Sequence, residues 1–257
     1  MFLRMSFIIL CLVSTQGLAD VITIGTDPWC PYNCKEGDKE GISIEVMRQI
    51  FEPHGHKVTV QYLPWARAIL FLKQGKITNF TSAAKADCEE CLYADNPTTI
   101  MKNTIFTRVG ETEPWQGLAS LKGKIIGVIN NYTYGKELTK YITKHQKDYT
   151  KVIVNSGPNA LDSNISMLIK GRVDFIVDEV TVLSYRASKM GVRKKIKPIH
   201  AISSVPLFLG FSPKDPKSKQ YAMLASKTLR EMKKDGRLKK IFASYDVECT
   251  VCDNANL

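Results

Sequence analysis

The apolar and polar positions divide the chain into two successive blocks of similar pattern. Residues 21–25 (VITIG) are short, β-branched and ended by glycine, which predicts a buried strand. A loop rich in proline and aromatic residues follows, through Asp27, Pro28, Trp29, Cys30, Pro31 and Tyr32. From Gly41 onward, Ile42, Ile44, Val46, Met47 and Ile50 recur at helical spacing. Residues 57–63 alternate as a second strand. Pro64 and Trp65 then open a helix that runs to Lys73 and is closed by Gly75. Residues 77–82 read as a third strand. The second block repeats this order with strands over 125–128, 151–154 and 175–177. Its helices begin near Gly135 and over 159–170, and two amphipathic helices, 218–233 and 238–245, end the chain.

Two β-α-β-α-β blocks imply an α/β protein of two lobes with mainly parallel sheets. Extended segments at 103–109 and 205–211 are placed to carry the chain from one lobe to the other and back, as two crossing hinge strands. This gives a first lobe of residues 20–106, a second of 107–206, and a return to the first over 207–257. Open α/β sheets bind ligands outside the carboxyl ends of their strands, where loops meet helix amino ends. Two such lobes, face to face, define a cleft that closes on a small solute by hinge motion.

Residues 1–19 alter the expected location. Arg4 precedes an apolar run over 5–13, and in Gly17-Leu18-Ala19 small residues occupy the two positions a signal peptidase reads. The run is too short to anchor in a hydrocarbon layer of roughly 30 Å. A cleaved secretory signal and a soluble, monomeric protein of the periplasm are therefore expected. Cys11 sits where lipid attachment occurs, but Leu10 before it is too large for that reading. At 44% hydrophobic and 24% charged residues, the composition is that of an ordinary globular protein. The formal charge of +11 is spread over scattered lysines, with one cluster at Arg193, Lys194, Lys195 and Lys197. In an exported protein this reads as a solvated surface rather than a nucleic-acid interface.

Beyond Cys11, the cysteines form three close pairs: Cys30 with Cys34, Cys88 with Cys91, and Cys249 with Cys252. Three local disulfides are the simplest arrangement in an oxidising compartment. A zinc site built from two of the pairs, or a redox role for a C-x-x-C, are the alternatives. The four histidines, His54, His56, His145 and His200, fall in no metal or triad spacing. No cofactor is implied.

The order of motifs resembles the bacterial extracellular solute-binding proteins of family 3. Four stretches carry the likeness: D-P-W-C-P-Y after the first strand, G-I-S-I-E-V opening the next helix, L-K-G-K-I-I-G-V over 121–128, and G-R-V-D leading to Asp178. Residues 232–242 resemble the family's closing helices. The resemblance implies a two-lobed, type II periplasmic-binding-protein fold with no catalytic residues. It also implies a small-molecule ligand and a membrane partner, either an ABC importer or a sensor. It places aromatic ligand contacts at Trp29 or Tyr32 and at Trp65, with Arg67 two positions further along the same helix. On the second lobe it places Asn131, Thr133 and Tyr134 against an anionic ligand group, and Asp178 against an ammonium.

One departure bears on the ligand. The family's amino-acid receptors carry an arginine after the third strand, in a T-x-x-R pattern, to fork onto the ligand's carboxylate. Here 82–91 reads S-A-A-K-A-D-C-E-E-C, with Lys85 as the available cation. A lysine offers a point charge rather than a fork, so an ordinary α-amino acid is not the expected ligand. The competing reading is an enzyme on the same fold, of the cyclohexadienyl-dehydratase type, for which Glu89, Glu90 and Glu179 are acids by residue type alone.

Overall fold

A computed structural model of the chain describes residues 19–252 except Asn131 and Pro158. The predicted leader, save Ala19, lies outside the described residues, as does the candidate contact Asn131. In chain order the elements are β1 (Val21–Thr26), α1 (Ile42–Phe51), β2 (Lys57–Tyr62), α2 (Trp65–Lys73), β3 (Asn79–Ala83), β4 (Leu92–Tyr93) and β5 (Thr99–Arg108). They continue with β6 (Ile126–Ile129), α3 (Lys136–His145), β7 (Val152–Asn155), α4 (Ala160–Ile169), β8 (Phe175–Glu179) and α5 (Val180–Lys189). The chain then runs through β9 (Ile196–Phe211), α6 (Ser218–Lys234) and α7 (Arg237–Ser244).

The strands lie in the order β2-β1-β3-β9-β5-β8-β6-β7, with β4 paired to β9 outside this path. Two parallel triplets flank a central antiparallel pair. In the first triplet β1 runs parallel to β2 and β3; in the second, β6 runs parallel to β7 and β8. Between them, β5 and β9 pair antiparallel from Thr99 opposite Leu207 to Arg108 opposite Ile196. The far end of β9 joins β3, with Asn79 opposite Phe211. The other end of β5 joins β8 from Asn103 to Phe106. Both long strands therefore belong to both halves of the sheet.

Each half has its own core. In the first, Ile22 and Ile24 of β1 pack with the buried face of α1 and with Leu229, Met232, Leu238, Ile241 and Phe242 of α6 and α7. In the second, Ile105 and Phe106 are neighbours on β5 and point to opposite sides, as a pleated strand requires. Ile105 joins Val128, Val152 and Val177 in one core, and Phe106 joins Ile165, Leu168 and Leu183 in another. The sheet of the second half is thus covered on both faces, as a mainly parallel sheet normally is.

Disulfides join Cys30 to Cys34, Cys88 to Cys91 and Cys249 to Cys252. The first closes the loop after β1 and the second the loop after β3, at the ends where those parallel strands point. Among the described residues no helix is long and apolar enough to cross a membrane.

Candidate functional site

The loop after β1 is held by its own backbone. The Trp29 amide donates to the Asn33 carbonyl at 2.7 Å, and the amides of Tyr32 and Asn33 return to the Trp29 carbonyl at 3.0 and 3.1 Å. The first amides of α1 are taken by the same loop: Ile42 donates to Pro31 and Ser43 to Tyr32, each at 2.9 Å. Gly41 makes this approach feasible. Its φ of 107° is a left-handed conformation, and a Cβ there would stand 2.4 Å from the Tyr32 carbonyl oxygen. Its amide also donates to the Tyr245 hydroxyl at 2.8 Å. The loop is therefore fixed to α1 and to the end of the chain.

Within the loop the two aromatic rings have different tasks. Tyr32 is buried at 2% exposure, and its hydroxyl accepts from the Thr99 hydroxyl of β5 at 3.4 Å. Trp29 lies on the Tyr32 ring, centroids 4.9 Å apart, and stays half-exposed. The second half repeats the arrangement after β6. Tyr134 is 1% exposed, and its hydroxyl accepts from the Ile129 amide at 2.9 Å. Tyr132, 39% exposed, lies over it with centroids 6.2 Å apart. Each half thus presents one accessible ring backed by a buried tyrosine.

Three acids lie at the carboxyl ends of β1 and β8. Asp178 is buried at the end of β8; its Oδ1 accepts from the Glu179 amide at 2.7 Å, and its Oδ2 has no hydrogen-bond partner among the described residues. Glu179 caps α5, its Oε2 accepting from the amides of Thr181 and Val182 at 2.7 and 2.8 Å. Its Oε1 likewise has no hydrogen-bond partner among the described residues. Burial, together with a bond from the Glu179 amide and the neighbouring Glu179 charge, sets Asp178 at about 7. Burial pushes Glu179 up to about 7 as well. Part of Asp27 reaches solvent, yet its carboxyl is desolvated enough to be raised to about 6.

These acids relate the loops to one another. The Tyr132 hydroxyl is raised by burial and then by the charges of Asp178 and Asp27. Tyr134 is raised by burial and then by Asp178, and Tyr32 by burial and then by Glu179. Asp27 belongs to the loop after β1 and Asp178 to the end of β8, so both halves act on one hydroxyl. None of the salt bridges among the described residues uses Asp27, Asp178 or Glu179.

The remaining predicted positions are placed as follows. Trp65, at the start of α2, packs edge-on against buried Phe80 with centroids 5.4 Å apart and remains partly exposed. Arg67 is exposed on the same helix. Lys85 is exposed beyond β3, its ammonium 4.5 Å over the Phe208 ring. Thr133 is exposed, and its carbonyl accepts from the Asn103 side chain at 3.2 Å. Sequence reasoning did not single out Asp27 and Tyr132. The signal for Asp27 was its place immediately after the last residue of β1, at a carboxyl end.

The sequence comparison matches this architecture. Residues 22–247 match the model of the bacterial extracellular solute-binding proteins, family 3, and the chain belongs to that family. A probable amino-acid-binding protein, YxeM of Bacillus subtilis (strain 168), is 24% identical over 218 residues, covering 84% of this chain and 79% of that one. Among solved structures, one from a study of glutathione import via GshT and the cystine ABC importer TcyBC of Streptococcus mutans has a TM-score of 0.74. It is 19% identical, over 91% of this chain and 98% of that one. A histidine kinase sensor domain with similarity to periplasmic binding proteins gives a TM-score of 0.68 at 19% identity, over 89% and 97% of the two chains. The fold is the two-lobed type II binding-protein fold, and the protein is a solute-binding receptor.

Proposed function

We propose that the receptor holds one small organic solute between its halves, with Trp29 and Tyr132 as opposed contact surfaces and Asp27 and Asp178 as polar anchors. The observation that carries this reading is the matching pair of loops, after β1 and after β6, each presenting an accessible ring over a buried tyrosine on halves joined by β5 and β9. The lobes are discontinuous in sequence: residues 20–106 with 207–257, and 107–206. They hinge about β5 and β9, and closure brings the two aromatic loops together. Tyr32 and Tyr134 act as backing for the exposed rings, while Trp65, Arg67, Lys85 and Thr133 line the approach. The protein does no chemistry on the solute. It works in the periplasm and delivers the solute, or the signal that it is bound, to an ABC importer or a membrane sensor.

Tryptophan fluorescence tests this reading. The chain has three tryptophans, Trp29, Trp65 and Trp115, and Trp115 packs on Phe175 in the second half. A screen of amino acids, amines, small peptides, organic acids and sugars should find a solute that changes the emission saturably. The change should persist in Trp115→Phe and be lost in Trp29→Phe. Tyr132→Ala should weaken the response about tenfold or more, as expected when an aromatic contact is removed from a desolvated site. A response that survives Trp29→Phe unchanged would place the solute elsewhere.

A further inference from the structure

We propose that the end of the second half at which β6, β7 and β8 begin is a docking surface for an anionic phospholipid bilayer. The sheet pairing gathers four loops there. Ile126 lies opposite both Val152 and Phe175 in the parallel strands, so the chain before each of the three strands reaches the same end. β5 runs the other way and finishes there, with Phe106 opposite Ile176, and Arg108 is paired with Ile196 at the start of β9. Backbone bonds tie the loops together: the Val109 amide donates to the Lys195 carbonyl at 3.0 Å, Ile126 to Lys151 at 3.0 Å and Asp174 to Ile125 at 2.8 Å. The Arg108 guanidinium donates to the carbonyls of Leu168 and Val173. Lysines that are scattered in sequence are thereby collected in space. Residues 108–124, 144–151, 170–174 and 189–197 hold 13 lysines and arginines against four acids. They carry nine of the formal charge of +11, and the rest of the chain, with 23 such cations and 21 acids, is close to neutral.

Most of these charges are turned to solvent without a partner. Glu111 and Asp174 pair with Arg108 at 3.0 and 3.6 Å, and Asp148 with Lys151 at 2.9 Å, so three of the four acids are already engaged. Beyond Arg108, Lys124 and Lys151, the cations of these loops take part in no salt bridge among the described residues. Lys122, Lys147, Lys170, Arg172, Lys194 and Lys195 are all exposed. Like charges collected in this way repel one another, and an anionic surface within a screening length of about 8–10 Å offsets that cost. The apolar side chains among them favour a bilayer over a soluble polyanion. Val109, tied to Lys195, is 50% exposed, and Tyr149, between Lys147 and Lys151, is 74% exposed. A tyrosine has an apolar body and a polar tip and suits the headgroup layer. Cations surrounding a few apolar side chains are what an anionic lipid surface attracts. The Tyr132 loop follows β6 and Asp178 lies near the end of β8, at the opposite ends of these strands. A bilayer on the basic end therefore leaves the candidate solute site uncovered and holds the receptor beside a membrane partner.

Co-sedimentation of the mature protein with lipid vesicles tests this. It should partition onto vesicles of equal parts phosphatidylglycerol and phosphatidylcholine about tenfold or more strongly than onto phosphatidylcholine alone. The binding should fall as salt is raised. Two charge reversals in different loops, Lys194→Glu with Lys195→Glu and Lys170→Glu with Arg172→Glu, should each weaken it about tenfold or more. The same change of net charge on the other half, Lys219→Glu with Lys227→Glu at exposed positions of α6, should leave it within about twofold. Tyr149→Ala should weaken it severalfold, through loss of the interfacial ring. Each variant should melt as the native protein does, and if one pair fails to fold the other decides. Equal binding to the two kinds of vesicle, or to neither, would overturn the proposal. So would an equal loss in the α6 variant, which would reduce the effect to overall charge. Binding of heparin or double-stranded DNA without binding of the anionic vesicles would also overturn it and mark a surface for soluble polyanions instead.

Discussion

Gly41→Ala is expected to lower stability more than any other single glycine-to-alanine change near the site, by at least about 1–3 kcal/mol from the strained backbone alone. The φ of 107° and ψ of 152° at Gly41 belong to a region that residues with a side chain scarcely enter. An added methyl would stand 2.4 Å from the Tyr32 carbonyl oxygen and 2.8 Å from the Cys34 nitrogen. Both are backbone atoms, held by hydrogen bonds to Ser43 and Glu40, so neither moves aside without breaking the loop. Gly55→Ala is the control: its φ is 84°, but apart from its chain neighbours none of the described residues comes within 4 Å of the added carbon. That change should cost only the left-handed penalty, about 1 kcal/mol. Thermal melts of the two variants separate strain from collision. In a protein of this size each kcal/mol moves Tm by roughly 2–4 °C. The Gly41 variant should also lose the Trp29 fluorescence response, because the displaced backbone is the one that seats Trp29. Equal melting shifts for the two variants would refute the argument.

The ligand-free protein should become more stable as pH falls from 8 to 5. Carboxyls of the unfolded chain ionise near 3.9–4.3, whereas Asp178 and Glu179 ionise at about 7 in the folded protein and Asp27 at about 6. Between roughly pH 4 and 7 the folded state therefore binds more protons than the unfolded one. Stability is then greatest at the acid end of that window and is lost as pH rises through the folded values. Each such group costs about 1.4 kcal/mol per pH unit while the difference lasts. The acids shifted the other way, such as Asp20 beside Lys217 and Glu40 beside Arg48, lose their contribution only below about pH 4. Thermal melts at constant ionic strength should give a higher Tm at pH 5 than at pH 8, and Asp178→Asn with Glu179→Gln should flatten the difference. A Tm that rises toward pH 8 in the ligand-free protein would contradict the burial argument.

The parts of the fold visible in the sequence are those where burial imposes a simple period. Residues 175–177 are buried on both faces, and 22–25 are buried apart from half-buried Thr23, so both read as short apolar runs. α1 and α6 show a clear apolar face. The beginning of β9 was not visible, because 196–206 alternates between exposed and partly buried positions with few strongly apolar residues. Its partner β5, not its own sequence, makes that stretch a strand. α5 was overlooked for a related reason: it begins Val180, Thr181, Val182, which favours a strand by propensity. The Glu179 side chain caps it nonetheless.

At the site, sequence pointed to Trp29, Tyr32, Tyr134 and Asp178 but did not separate exposed rings from buried ones. Tyr132 and Tyr134 are two positions apart in a loop, and nothing local says which ring is exposed. The distinction comes from Ile129, whose amide occupies the Tyr134 hydroxyl. In the same way Thr99, far away in sequence, engages Tyr32 and leaves Trp29 outermost. The orphan oxygen of Asp178 is likewise a tertiary property, defined by which donors fail to reach it.

The central claim, that the protein clamps a single solute between its halves, is tested most directly by a thermal-shift screen of the mature chain. The screen should cover amino acids, amines, small peptides, organic acids and sugars, each measured with the native protein and with a Trp29→Ala, Tyr132→Ala double variant. The account predicts that one chemical class raises Tm in a saturable way. At about a hundred times its dissociation constant the solute adds roughly 2.7 kcal/mol of stability, and the double variant loses the shift. No stabilising class at all, or a shift of equal size in the double variant, would contradict it.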